Sequence, residues 1–235
     1  MSRILDELLQ SAAAGVEALG ARLDALGNAL TPALAKEASE AYKRAIENQQ
    51  NHTALGGTMV ASMLHLKLGN WNEALAGHFD MQQILFVQAE SLDDYQSVHE
   101  GVRGIFAKAL QIGDAERAYE AVVLAADAAY FASEAAGADL AQKEKWLGTA
   151  LVDLVSAFNA NPAQQVSQGT GTKLVSVLCA VADALRASGL DSNPKLAALL
   201  SMAASRARAS VPPNFGFPGN AQKTAWMQRT LASLS

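Results

Sequence analysis

Apolar residues recur at three- and four-residue spacing along almost the whole chain. No window of four to eight residues alternates apolar and polar between turn residues. On a helix that spacing draws one continuous stripe, whereas on a strand it scatters the apolar groups over both faces. Tyr95, Val98, Val102, Ile105, Phe106 and Leu110 draw one stripe. Tyr119, Val122, Val123, Ala126 and Tyr130 draw a second, and Leu147, Leu151, Leu154, Val155 and Phe158 a third. The chain is therefore expected to be all-α. Composition points the same way: 50% of its 235 residues are hydrophobic but only 6% aromatic. The apolar content is mostly Ala, Leu and Val, which lets helices approach closely.

Capping chemistry marks the boundaries. Thr31 before Pro32 offers a hydroxyl acceptor at an N-cap, with a proline where its missing N–H costs nothing. Ser91 with Asp94 is a variant capping box. Ser192 before Asn193 and Pro194 opens another helix, and Gly113 and Gly189 suit left-handed helix ends. These signals predict ten helices, over 3–28, 32–50, 54–68, 71–89, 92–111, 114–136, 139–160, 171–188, 193–209 and 220–233. Short connections make neighbours antiparallel hairpins, giving an irregular bundle or a short right-handed α-solenoid. Residues 1–160 form the helical-hairpin region, and 161–235 supply C-terminal helices packed as one unit with the rest. The polar stretch 159–171 is a linker candidate. The segment 211–219, with three prolines and two glycines, cannot be helical. Phe215 and Phe217 are expected to pin that crossing onto the body.

Two turns echo each other. Leu68 to Leu75 (LGNWNEAL) and Ile112 to Tyr119 (IGDAERAY) both place Gly after an aliphatic residue, a polar residue next, and Ala five positions after the Gly. The pattern is similar to the tetratricopeptide-like helical hairpin, although the glycines lie farther apart than that repeat's roughly 34-residue period.

The segment 22–90 carries a further resemblance. A Leu-rich helix ends in a turn of Leu–Thr–Pro type at Leu30, Thr31 and Pro32. A second helix ends in Ala45 and Ile46 before the polar turn Asn48 to Asn51. A third begins with Ala54 and Leu55, and Trp71 precedes an apolar stripe ending in Ile84 and Leu85. This resembles the helical domain shared by the C-terminus of the COPII outer-coat scaffold and the steroid receptor RNA activator protein. The resemblance implies a non-enzymatic protein-interaction module of vesicle-coat or scaffold type.

Composition and motifs bound the chemistry. A net charge of −5 argues against a binder that tracks nucleic-acid phosphates. The segment Leu174 to Leu185 is too short for a membrane helix and is interrupted by Asp183, so no membrane span is expected. No uninterrupted apolar stretch of signal-peptide type follows the start, so the chain is expected in the cytoplasm. Cys179, the one cysteine, lies in an apolar run and reads as a buried thiol. His52, His65, His78 and His99 show no metal-ligand spacing, and they read as surface or capping histidines. Residues 169–173 (GTGTK) lack the spacing and the preceding strand of a phosphate loop, and read as a helix entry with a Thr cap. Arg186, Lys195, Arg206, Arg208, Lys223 and Arg229 concentrate in the C-terminal quarter and read as a solvated helix face.

No catalytic constellation, metal site or cofactor site is visible. The expected function is that of a non-enzymatic scaffold or adaptor presenting a helix face or groove to a partner helix or peptide. Vesicle coat assembly or protein trafficking is its setting, and homo-oligomerisation is compatible with it. Trp71, Phe79, Tyr95 and Phe106 are the candidate partner-binding residues, being large side chains beside small ones. The alternative is a helical carrier enclosing a hydrophobic ligand or pigment.

Overall fold

The computed structural model describes residues 2–160, 168–210 and 215–234. Among them are eleven α-helices and no strand, so the chain is all-α. No helix among these residues is long and apolar enough to cross a membrane. The chain divides into two compact units, Met1–Gln88 and Ala89–Ser235. Most of the expected linker, residues 161–167, lies outside the described residues. The helices on either side of it, residues 140–160 and 168–187, share one hydrophobic core, which is why the division does not fall there.

Unit 1 contains α1 (Arg3–Ala13), α2 (Val16–Leu26), α3 (Pro32–Glu47), α4 (Asn51–Lys67) and α5 (Trp71–Gln88), with a short 3-10 turn at Gly27–Ala29. The single helix expected over 3–28 is thus two. Gly15, at φ +117°, holds a conformation that breaks the helix. That break lets both α1 and α2 turn their leucines onto α4. Helix α4 packs against all four of the others. Its sequence explains this, because small and apolar residues surround it and no acidic residue interrupts them. Leu5, Leu8, Leu19, Leu23 and Leu64 form the leucine centre of this core, with Tyr42 and Val60 beside them.

Unit 2 contains α6 (Leu92–Ile112), α7 (Ala115–Ala135), α8 (Leu140–Ala160), α9 (Gln168–Ala187), α10 (Pro194–Ser210) and α11 (Ala221–Ser233). Helix α7 packs against α6, α8 and α9, and α9 also meets α10 and α11. Seven alanines of α7 between Ala118 and Ala132 are buried, which keeps its three neighbours close. Phe215 is buried, and Phe217 packs against the same core, so the described part of the Pro-rich crossing is pinned as expected. Residues 211–214 of that crossing lie outside the described residues.

The caps follow the sequence with two exceptions. Thr31 Oγ1 accepts from Leu34 N–H at 3.2 Å, and Ser91 and Asp94 form a reciprocal capping box. Both echoed turns have left-handed glycines, Gly69 at φ +76° and Gly113 at +80°. Each closes with the same long bond, Asn70 N–H to His65 C=O and Asp114 N–H to Ala109 C=O, both 2.9 Å. Asn193, not Ser192, caps α10: its Oδ1 accepts from Lys195 N–H at 3.0 Å. Thr172 does not cap α9 either. It lies within the helix and is 1% exposed, because the helix begins earlier, at Gln168.

Candidate functional site: a cationic groove in unit 2

Helix α8 has two faces. Leu147, Leu151, Leu154 and Phe158 point into the core, while Ala141, Lys145, Gly148 and Val152 recur at three- to four-residue spacing on another face. That second face forms part of an open groove of about 480 Å³. Lys195, Leu196 and Leu199 of α10 line it on one side and Arg103 of α6 on the other. Gly148 sets the spacing, since a Cβ there would sit 3.2 Å from Leu196 Cδ2. Val152 in this groove is 42% exposed, an aliphatic side chain presented to solvent.

The positive charges of the groove are held from beneath. Asp153 is buried on α8, and its Oδ2 lies 2.7 Å from His99 Nε2 of α6. A carboxylate only accepts, so Nε2 carries the proton in this bond. The other carboxylate oxygen lies 3.5 Å from Arg103 Nη1, an ion pair that draws the half-exposed guanidinium toward the groove edge. His99 meets the Trp146 ring edge-on, with centroids 5.6 Å apart. Lys145 Nζ in turn lies 4.9 Å from the centroid of Trp146, a cation–π contact. A continuous chain of contacts therefore runs from Arg103 through Asp153, His99 and Trp146 to Lys145. Asn193 anchors the third cation's helix: while capping α10 beside Lys195, its Nδ2 donates to Glu144 Oε1 on α8 at 2.9 Å.

His99 and Asp153 are almost wholly enclosed and engage each other. The groove's one hydroxyl, on Thr149, donates to the Lys145 carbonyl at 2.9 Å. The groove offers cations and an aliphatic floor to whatever enters it. Two smaller clefts, about 270 and 300 Å³, occur in unit 1.

The four residues expected to bind a partner are differently placed. Trp71 begins α5 and is 42% exposed. Phe79 is buried in unit 1 at 4% exposure, so it belongs to the interior and not to a contact face. Tyr95 and Phe106 share one side of α6 and are half-buried against the unit 2 core. The Tyr95 hydroxyl donates to the Ala89 carbonyl at 3.0 Å, and its ring stacks on Phe131. The histidines also need correcting: His65 and His99 are buried, at 8% and 6% exposure, and are not surface groups. Partners distant in sequence account for this, Ser39 Oγ for His65 and Asp153 for His99. Cys179 is buried as expected, and burial pushes its thiol up to about 12. Of the six C-terminal basic residues, Lys195 enters the groove. In the sequence, Val152 beside the Leu147–Leu151–Leu154 stripe and the Asn193–Pro194 helix start were the only signals that could have pointed to the groove.

Comparison with known proteins gives no match to any family model, curated protein or solved structure.

Proposed function

We propose that this chain is a non-enzymatic protein-interaction module, an adaptor or scaffold whose contact surface is the groove of unit 2. The observation that carries this is the contact of Arg103 and Lys145 with a buried network, beside Val152, an aliphatic side chain that faces solvent. Interfaces gain affinity when their side chains are held in place before the partner arrives, because less rotamer freedom is lost on binding. The exposed Trp71 of unit 1 is a second contact point in this reading.

The test is site-specific photo-crosslinking of the full chain inside cells that express it, with the reactive group at Thr149 or at Trp71. Discrete protein adducts from Thr149 that disappear in the Val152→Glu variant are the expected result. Absence of protein adducts from both positions would overturn the proposal. The narrower setting in vesicle coat assembly, implied by the resemblance over 22–90, belongs to the same proposal. It predicts that the tagged full chain co-sediments with coated vesicles, and an exclusive presence in other fractions removes that part.

A further inference from the structure

We propose that the α6–α8–α10 groove takes an acidic amphipathic peptide segment, with its apolar side chains on Val152 and the partly buried Leu199 and its carboxylates meeting Arg103, Lys145 and Lys195. This rests on the reading of the chain as an interaction module and specifies the partner's chemistry.

Charge complementarity carries the inference. Three cations and one carboxylate, Glu144, line the groove, and Asp153 beneath it pairs with Arg103, which leaves the excess on Lys145 and Lys195. That local excess lies in a chain whose net charge is −5. Glu144 is itself engaged by Asn193, which reduces its opposition to an incoming anion. Among the described residues, neither Lys145 nor Lys195 has a carboxylate partner, so neither charge is neutralised at close range. Arg103 is half-exposed while paired with Asp153, so part of its guanidinium is accessible to a second carboxylate.

The apolar floor decides between classes of anion. A nucleic-acid backbone would find three cations but no stacking platform, and the overall negative charge of the chain would repel it. A membrane surface is broad and flat, whereas this site is a concave cleft of about 480 Å³. An amphipathic segment with carboxylates flanking leucine-like side chains satisfies floor and rim together.

The experiment uses the purified full chain and a labelled peptide of roughly four helical turns, with leucines on one face and glutamates flanking them. Its controls are a twin with lysine for every glutamate and a scrambled peptide of the same composition. Fluorescence anisotropy should show the glutamate peptide binding at least about tenfold more tightly than the lysine twin, with affinity falling as salt rises from about 20 to about 200 mM. The Lys145→Glu/Lys195→Glu double variant, altered at two exposed positions, should lose about tenfold or more. Val152→Glu should weaken binding independently of those charges.

Equal affinity for the glutamate and lysine peptides, no binding of either, or unchanged binding by the double variant would overturn the inference. Tighter binding of a single-stranded oligonucleotide or an anionic vesicle than of the glutamate peptide would also overturn it. The two levels of proposal separate in the crosslinking experiment. Protein adducts at Thr149 whose crosslinked segments are not acidic would defeat this inference and leave the interaction module standing. Loss of adducts at both Thr149 and Trp71 would defeat the module itself.

Discussion

The closest helix approaches of unit 1 occur at glycines of α4 and α5, whereas the central helix of unit 2, α7, meets its neighbours through alanine, and unit 2 buries a carboxylate–imidazole pair as well. In unit 1 a Cβ added to Gly57 of α4 would lie 2.7 Å from Tyr42 Cβ, and one added to Gly77 of α5 would lie 2.6 Å from Ser62 Oγ. In unit 2, α7 presents buried alanines to its neighbours, and Gly104 of α6 faces open space. The buried polar groups differ in kind. Thr58 of unit 1 donates to the Leu55 carbonyl, and His65 meets the Ser39 hydroxyl. Desolvation pushes the His65 pKa down and favours its neutral form. Unit 2 instead encloses the Asp153 carboxylate. Burying a carboxylate is seldom the most stable solution available to a core. Its presence in unit 2 fits a demand beyond packing, since this carboxylate holds Arg103 at the groove.

The largest test of this contrast removes the buried carboxylate. Asp153→Ala should destabilise the chain by about 1–3 kcal/mol in urea unfolding, because it leaves a buried imidazole N–H without its acceptor. The double variant His99→Leu/Asp153→Leu should recover most of that loss. If the single variant unfolds no more easily than wild type, the buried pair is not a structural element of unit 2.

Next comes the glycine contact. Gly57→Ala should cost about 1–3 kcal/mol, because Tyr42 Cα and Cβ both block the new methyl and backbone must shift. Gly104→Ala, by contrast, should stabilise by up to about 1 kcal/mol, since it adds helix propensity without a clash. Equal effects in thermal unfolding would erase the distinction between the units.

A third test concerns Asp127 on α7, whose pKa is pushed up to about 6 by desolvation, against the opposing pull of Lys223 and Lys173. The folded state then holds a proton that the unfolded state has released between about pH 4 and pH 6, so this group's contribution to stability falls as pH rises through that window. Asp127→Asn should be more stable than wild type above pH 6, by about 1–2 kcal/mol once partial exposure is allowed for. The gap should close near pH 4. Stability curves measured across that range would show it, and parallel curves would contradict it.

The smallest expected effect is at Gln49. It closes a helix end in the left-handed region at φ +58°, where Gly69, Gly113 and Gly189 serve the other similar turns. Gln49→Gly should gain about 0.5–1 kcal/mol by removing that strain. A loss in chemical denaturation would mean that the side chain contributes more than its backbone costs.

The helices were legible because their signals are local. A stripe such as Leu147, Leu151, Leu154 and Phe158 fixes element type and buried face within a few turns, and Thr31–Pro32 or Ser91–Asp94 fixes a boundary. The break at Gly15 was less legible, because leucines at Leu8 and Leu19 continue a plausible stripe across it. The groove was harder still. His99 and Asp153 are 54 residues apart, and what joins them is the packing of α6 near α8, which no spacing rule encodes. For the same reason, Phe79 and Trp71, equally large beside small neighbours, fall one inside and one at the surface of unit 1.

Cys179 has a kinetic consequence. It is the chain's one cysteine, it is fully enclosed on α9, and its Sγ lies 3.6 Å from the Met227 carbonyl of α11. Thiol reagents attack the exposed thiolate, so the folded arrangement is closed to them twice over, by access and by protonation. Each modification event therefore records an excursion that exposes Cys179 from the core of unit 2. With reagent in large excess, the modification rate approaches the opening rate itself, and with little reagent it reports the open fraction. The chain thus contains a single-site clock for the breathing of unit 2, which can be read before and after a partner enters the groove.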